Sequence, residues 1–185
     1  KNFYIIINKK KLNNLMFLTI NLITKCIISS YILFQSGDLM SKILGLKSKD
    51  ISFSEKSFLG IIFLSFLALL INFFLPLSQV LNTIIFSLIF LSFFINRHIP
   101  IKEIISISLL TSLILFLANT NNPDSGLYHL PYIQILNEEK IIFGLNNLHF
   151  RFAHTSMFQY LSAIFNNFYL GVEGITIPIA ITVSI

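Results

Sequence analysis

Three blocks without a single charged residue, 57–77, 79–95 and 104–118, dominate the pattern of this chain. They are continuous apolar runs, whereas strands of a membrane barrel alternate polar and apolar positions over about ten residues. A helix crossing a bilayer core of roughly 30 Å needs about 20 apolar residues, with about 17 as a minimum. The pattern therefore predicts transmembrane helices over 57–77, 79–95 and 102–119, the last using flanking residues. A further span is expected over 15–35, although Asn21 and Lys25 sit inside it. A central lysine costs about 2.5–3.5 kcal/mol on insertion scales. Two more are expected: 153–170, interrupted by Gln159, Asn166 and Asn167, and 175–185, the start of another. Between them lie a polar connector over 35–56, an uncharged turn at 76–78, a short basic loop over 96–103 and the longest polar stretch, 119–152. The expected fold is an all-α, polytopic transmembrane bundle, with an interfacial helix inside 119–152.

Composition strengthens this reading. Of 185 residues 55% are hydrophobic and only 11% charged, against about 25% charged in soluble domains; mean hydropathy is +0.79. The net charge of +5 would suit nucleic acid, but the lysines flank apolar spans and form no binding face, so no nucleic-acid partner is expected. Lysine outnumbers arginine eleven to two, as in an AT-biased genome, so Lys-over-Arg choices carry little meaning. The single Cys26 rules out a disulfide framework or cysteine metal cluster. Residues 1–34 imitate a signal peptide, but the apolar part is too long, contains Lys25 and lacks a small-residue cleavage site. The absence of an initiating methionine and the apolar final residues fit an excerpt, the N-terminal part of one integral membrane domain.

Basic residues set the orientation. With 119–152 outside, the loops 35–56 and 96–103 fall inside with six Lys/Arg, and the outside turn 76–78 has none, as the positive-inside rule requires. The four lysines in 1–11 dissent from this arrangement.

Candidate chemistry concentrates in 119–152. Asn121-Asn122-Pro123-Asp124-Ser125-Gly126 is turn chemistry directly after a predicted span. Leu127, Leu130, Ile133 and Leu136 then form a helical stripe, with Tyr128, His129, Tyr132 and Gln134 on other faces. Pro131 suits the first turn of that helix, which would lie in the interface with its tyrosines at headgroup level. His149, Arg151 and His154 follow at the mouth of the next predicted span.

This order resembles a known family. A span, then Pro123-Asp124-Ser125-Gly126-Leu127-Tyr128-His129, an interfacial helix ending near Glu138, a Gly144 turn and a His149-Phe150-Arg151-Phe152 approach look like the first extracytoplasmic loop of GT-C superfamily glycosyltransferases. The similarity is to the bacterial branch found among cell-surface polysaccharide proteins and covers about 104–170. It implies an inverting transferase in the bacterial cytoplasmic membrane, with 119–152 on the extracytoplasmic side. The donor would be a polyprenyl-phosphate sugar, the acceptor a glycan or lipid, and membrane lipid a partner. Asp124 takes the catalytic position; Tyr128, His129, His149, Arg151 and His154 become substrate-binding candidates. Familiar members carry a second acidic residue beside the first or two positions on, where this chain has Ser125 and Gly126. No metal ligand is therefore assigned, and a divalent metal is only an option the family leaves open.

Each residue also has a plainer role. Asp124 would serve as a turn or cap residue, Arg151 as an interfacial anchor, and the histidines as ordinary polar residues. The competing reading of the whole is a non-catalytic membrane protein of surface-polysaccharide assembly, either a transporter or flippase or a structural subunit. The transport form is motivated by the polar content of 15–34 and 153–170, which could line a path; it expects ionisable residues at depth in several helices, and only Lys25 meets this.

Overall fold

The computed structural model describes residues 2–47, 51–91, 99–118, 125–147, 150–153 and 156–185, with side chains from 16 onward except those of Ser125, Asn146, Arg151 and Ala153. Among them are seven α-helices and no strand: α1 (Asn2–Ile43), α2 (Phe53–Asn72), α3 (Gln79–Leu91), α4 (Ile101–Leu117), α5 (Leu130–Glu138), α6 (Met157–Phe165) and α7 (Ile177–Ser184). Two stretches, Met16–Ile43 and Phe53–Asn72, are long and apolar enough to cross a membrane, with mean hydropathies of 1.7 and 1.8.

The expected connector over 35–56 is largely helix. Helix α1 runs unbroken to Ile43 because the polar residues there have an inward use: Ser36, Asp38 and Ser41 are buried. Asp38 accepts from Lys56 Nζ at 3.0 Å and from Lys42 Nζ at 2.8 Å. Both Asp38 and Lys56 are buried, so each offsets the cost of placing the other's charge out of water. The true connector ends at Ser52, which caps α2. Its hydroxyl accepts from the Glu55 amide at 3.3 Å, and its own amide donates to the Glu55 carboxylate at 2.7 Å, a reciprocal box that satisfies the first turn.

Helices α1 and α2 touch backbone to backbone. A Cβ placed on Gly37 would lie 1.6 Å from the Lys56 carbonyl oxygen, and one on Gly60 would lie 1.9 Å from that of Leu33. Glycine at both positions permits this approach, as small residues do where apolar helices meet without a hydrophobic drive between them. Ser57, Gly60, Leu64, Ser65 and Ala68 form the buried face of α2. The opposite face presents Phe58, Ile62, Phe66 and Leu70 outward and ends in Phe73 and Phe74. It is an uncharged, exposed stripe with one residue per turn.

Helix α4 packs on α1 and α7. Hydroxyl pairs mark both contacts, Ser30 with Ser108 at 3.1 Å and Thr111 with Ser184 at 3.0 Å. Helix α6 packs on α2, and Phe165 at its end meets Phe86 of α3 edge to face at 5.0 Å.

In the stretch 153–170 the α-helix is confined to Met157–Phe165, about 14 Å at 1.5 Å per residue. Apolarity alone predicts a longer helix, but side-chain amides interrupt it. Asn167 Oδ1 accepts from the Tyr169 and Leu170 amides, both at 3.1 Å, folding the chain into a turn. Gly171 continues it at φ 66°, and the 3-10 turn Val172–Thr176 leads into α7.

Candidate functional site: a cavity between the π turn and α6

The segment after Asp124 opens with a π turn, Ser125–His129, that runs directly into α5. Pro131 falls in the first turn of α5, where its missing amide proton costs nothing. Single π turns inside helices widen the local backbone and recur at functional positions. Here the turn brings the Tyr128 and His129 rings to 4.3 Å, inclined at 44°.

The buried face of α5 is Tyr132, Ile133 and Leu136, while Leu127 and Leu130 are exposed. This corrects the expected stripe: Ile133 and Leu136 are buried as expected, but Tyr132 shares their face, while Leu127 on the π turn and Leu130 at the start of α5 are exposed. Tyr132 is hydrogen-bonded to Tyr160 of α6, and burial together with that phenol pushes its pKa well above the usual tyrosine range. Its ring also lies 5.8 Å from that of Phe152.

Four asparagines and a glutamine fasten α5 and α6 to the turn after α2. Asn72 Nδ2 donates to the Glu139 carbonyl at 3.0 Å, and the Ile141 amide donates back to the Asn72 carbonyl at 2.9 Å. Asn82 Nδ2, fully buried, reaches the carbonyls of Leu77 (2.7 Å), Ala163 (2.8 Å) and Asn166 (2.9 Å). Asn137 Nδ2 reaches the same Leu77 and Ala163 oxygens at 2.6 and 3.1 Å. Asn166 Nδ2 donates to Asn137 Oδ1, and Gln79 Nε2 to Asn166 Oδ1. Carbonyls freed at helix ends are costly when buried, and this amide cluster satisfies them.

The result is a cavity of about 600 Å³. Tyr128, His129 and Ile133 form one wall, the α6 residues Ser156, Gln159 and Ser162 a second, and the 3-10 turn with α7 a third. Most of its surface is hydrocarbon, with the imidazole, hydroxyls and Gln159 amide supplying polar groups. Such a space accepts an amphiphile, its apolar part against the wall and its polar part beside His129. Glu173, on the third wall's 3-10 turn, pairs with Lys25 of α1 at 2.7 Å.

Of the residues singled out in the sequence, Tyr128 and His129 line this cavity together. Arg151 belongs to the 3-10 turn Phe150–Ala153, whose Phe150 also lines it. Asp124, His149 and His154 lie outside the described residues. Sequence reasoning missed the α6 wall. The Ser156-x-x-Gln159 spacing was the available signal, since it is a capping box, and both halves form. It also missed Glu173, though an ionisable Lys25 within an apolar helix calls for a partner. Among the described residues no cluster of His, Cys, Asp and Glu could hold a metal.

These features define an all-helical protein with two apolar helices of membrane-crossing length and a cavity at one end of the helices. The chain belongs to the family described as "Domain of unknown function (DUF8201)", whose model matches residues 16–184. No curated protein and no solved structure matches it.

Proposed function

We propose that the chain forms part of a polytopic membrane glycosyltransferase of GT-C type, transferring a sugar from a polyprenyl-phosphate-linked donor to a surface glycan or lipid acceptor. The observation that carries this reading is the cavity itself: the turn immediately after Asp124 opens, through Tyr128 and His129, onto a largely apolar space with polar groups at one wall. A lipid-linked sugar has that division of character.

The membrane setting is supported by the stripe on α2, whose outward phenylalanines and leucine are left exposed among the described residues. It is also supported by which loops meet. The Leu77 amide donates to the Leu136 carbonyl at 2.9 Å, so the turn 76–78 and α5 share one end of the bundle. Ile51, Phe53, Ile99 and Pro100 border a common cavity elsewhere, so the described ends of 35–56 and 96–103 meet there. Loops that meet in this alternating way suit helices threaded back and forth across a bilayer.

In the proposed reaction the acceptor hydroxyl oxygen attacks the anomeric carbon from the face opposite the phosphate. Its proton passes to the Asp124 carboxylate, and the bond from the anomeric carbon to the phosphate oxygen breaks, inverting the centre. Arg151, with its planar fork of donors, would hold the departing phosphate. Tyr128, His129, His149 and His154 would hydrogen-bond sugar or phosphate oxygens. No metal enters this scheme.

The test is Asp124→Asn in the full-length protein, expressed in cells lacking the native copy. Loss of the surface-glycan modification at unchanged protein abundance is expected. Unaltered glycan from the variant would remove the catalytic assignment. The transport reading calls for ionisable residues at depth in several helices; Lys25 is such a group, and its ammonium is engaged by Glu173.

A further inference from the structure

Beside the cavity, α5 is followed by an apolar loop that the reaction does not use. Ile142 and Phe143 lie at its tip, Phe143 being 82% exposed, the most exposed large hydrophobic side chain among the described residues. Gly144 reverses the chain behind it at φ 85°, and the Asn147 amide closes the turn on the Gly144 carbonyl at 2.9 Å. An exposed phenylalanine at a loop tip in water gains nothing from that position, because full burial of such a ring is worth about 1.5–3 kcal/mol.

The height of this loop on the bundle is fixed. The Ile141 amide donates to the carbonyl of Asn72, the last residue of α2, and the Asn72 side chain donates to the Glu139 carbonyl. Leu69, one turn below, shares a cavity of about 390 Å³ with Phe143. The tip therefore stands level with the end of α2, where the outward stripe of Phe58, Ile62, Phe66 and Leu70 finishes in Phe74, 79% exposed. Phe143 lies beside that end of α2, where it shares the cavity with Leu69. Lys140 before the tip is offset by Glu138 and Glu139, so the surface as a whole is apolar and carries no cationic character.

We propose that the 141–144 loop is a lipid-contact surface: it seats Phe143, with Phe74, in the boundary between headgroups and acyl chains of the leaflet at that end of α2. The proposal rests on the reading of α2 as a membrane-crossing helix. The occupant is the hydrocarbon edge of a bilayer, and because the acidic pair cancels Lys140, the contact needs no anionic lipid. The loop thereby fixes the depth of the cavity's neighbouring helix α5 relative to the membrane surface.

The 185 residues contain no tryptophan, so each substitution is read as the emission it adds over that of the parent protein. The full-length protein would be reconstituted in phosphatidylcholine nanodiscs as Phe143→Trp, as Ile142→Trp, and as Phe66→Trp for mid-helix reference, with lipids brominated near the headgroup or deep in the chain. The proposal expects blue-shifted emission from Phe143→Trp or Ile142→Trp and strong quenching by the shallow bromines, unchanged when anionic lipid is added. Phe66→Trp should be quenched by the deep bromines. Water-like, unquenched emission from both loop probes while Phe66→Trp is quenched would overturn the lipid contact and leave the membrane reading of α2 standing. Failure of quenching at Phe66→Trp as well would overturn both. Quenching at the loop only with anionic lipid would overturn the apolar contact in favour of headgroup binding.

Discussion

Lys25 and Glu173 stand 148 positions apart in the chain and share an ion pair of 2.7 Å. The two ends differ: the Lys25 side chain is 14% exposed and that of Glu173 67%. Solvent screening at Glu173 places the pair nearer the exposed regime of roughly 0.2–1 kcal/mol, while loss of the glutamate strands a mostly buried ammonium. Glu173→Gln should therefore destabilise the protein by about 1 kcal/mol, between the exposed and buried limits. Lys25→Met should be neutral or stabilising, because it removes a charge that is costly at depth. Unfolding in detergent, with the double variant Lys25→Met/Glu173→Gln completing the cycle, reads the coupling. A Glu173→Gln protein as stable as the parent would dissolve the link between α1 and the cavity's third wall.

The α1–α2 crossing makes a steeper prediction. Ala at Gly60 would put a methyl group 1.9 Å from the Leu33 carbonyl oxygen, and backbone on both sides leaves no flexible side chain to yield. The helices must separate, disturbing the Asp38–Lys56 pair beside them. Overpacking costs about 1–3 kcal/mol and sometimes more; Gly60→Ala is expected at the top of that range or beyond. Gly126→Ala, where nothing lies within 4 Å, is the matched control and should change little. Thermal unfolding of the two variants side by side makes the comparison.

Asn82 offers a test by charge. Its amide group faces three carbonyl oxygens in a fully buried position. Asn82→Ala leaves those acceptors partly served by Asn137 and should cost about 1–3 kcal/mol. Asn82→Asp removes the same donors and sets a carboxylate against the carbonyls, so it should be worse than alanine despite its shape. Equal midpoints for the two variants would mean that the amide's donors do not hold this junction.

The sequence made some of this legible and hid the rest for identifiable reasons. Helices α2 and α4 could be read from unbroken apolar runs, because nothing else in those stretches competes with the helix. The last turns of α1 were hidden: Ser36, Gly37 and Asp38 look like a connector when polarity is taken to mean solvent. Where the outer face is apolar, polar and small residues are the ones that turn inward, and Gly37 and Asp38 meet α2. The stretch 153–170 was misleading in the opposite sense: its apolar residues suggest one crossing despite Gln159, Asn166 and Asn167, but Asn167 folds the chain after Phe165. Within the site, Tyr128 and His129 could be found because they stand beside a proline-aspartate-glycine turn. The α6 wall could not be found by searching for charged residues, since Ser156, Gln159 and Ser162 carry none.

The carbonyl oxygens of Leu77 and Ala163 each accept from both Asn82 and Asn137. Two atoms thus tie the α2–α3 turn, the end of α5 and the end of α6 into one clamp, and none of the three can shift without breaking bonds to the other two. The cavity is therefore hinged on one side only. Its α6 wall is fixed, so any widening to admit or release a bulky occupant falls to the other two walls, the loosely wound π turn that carries Tyr128 and His129 and the 3-10 turn ahead of α7.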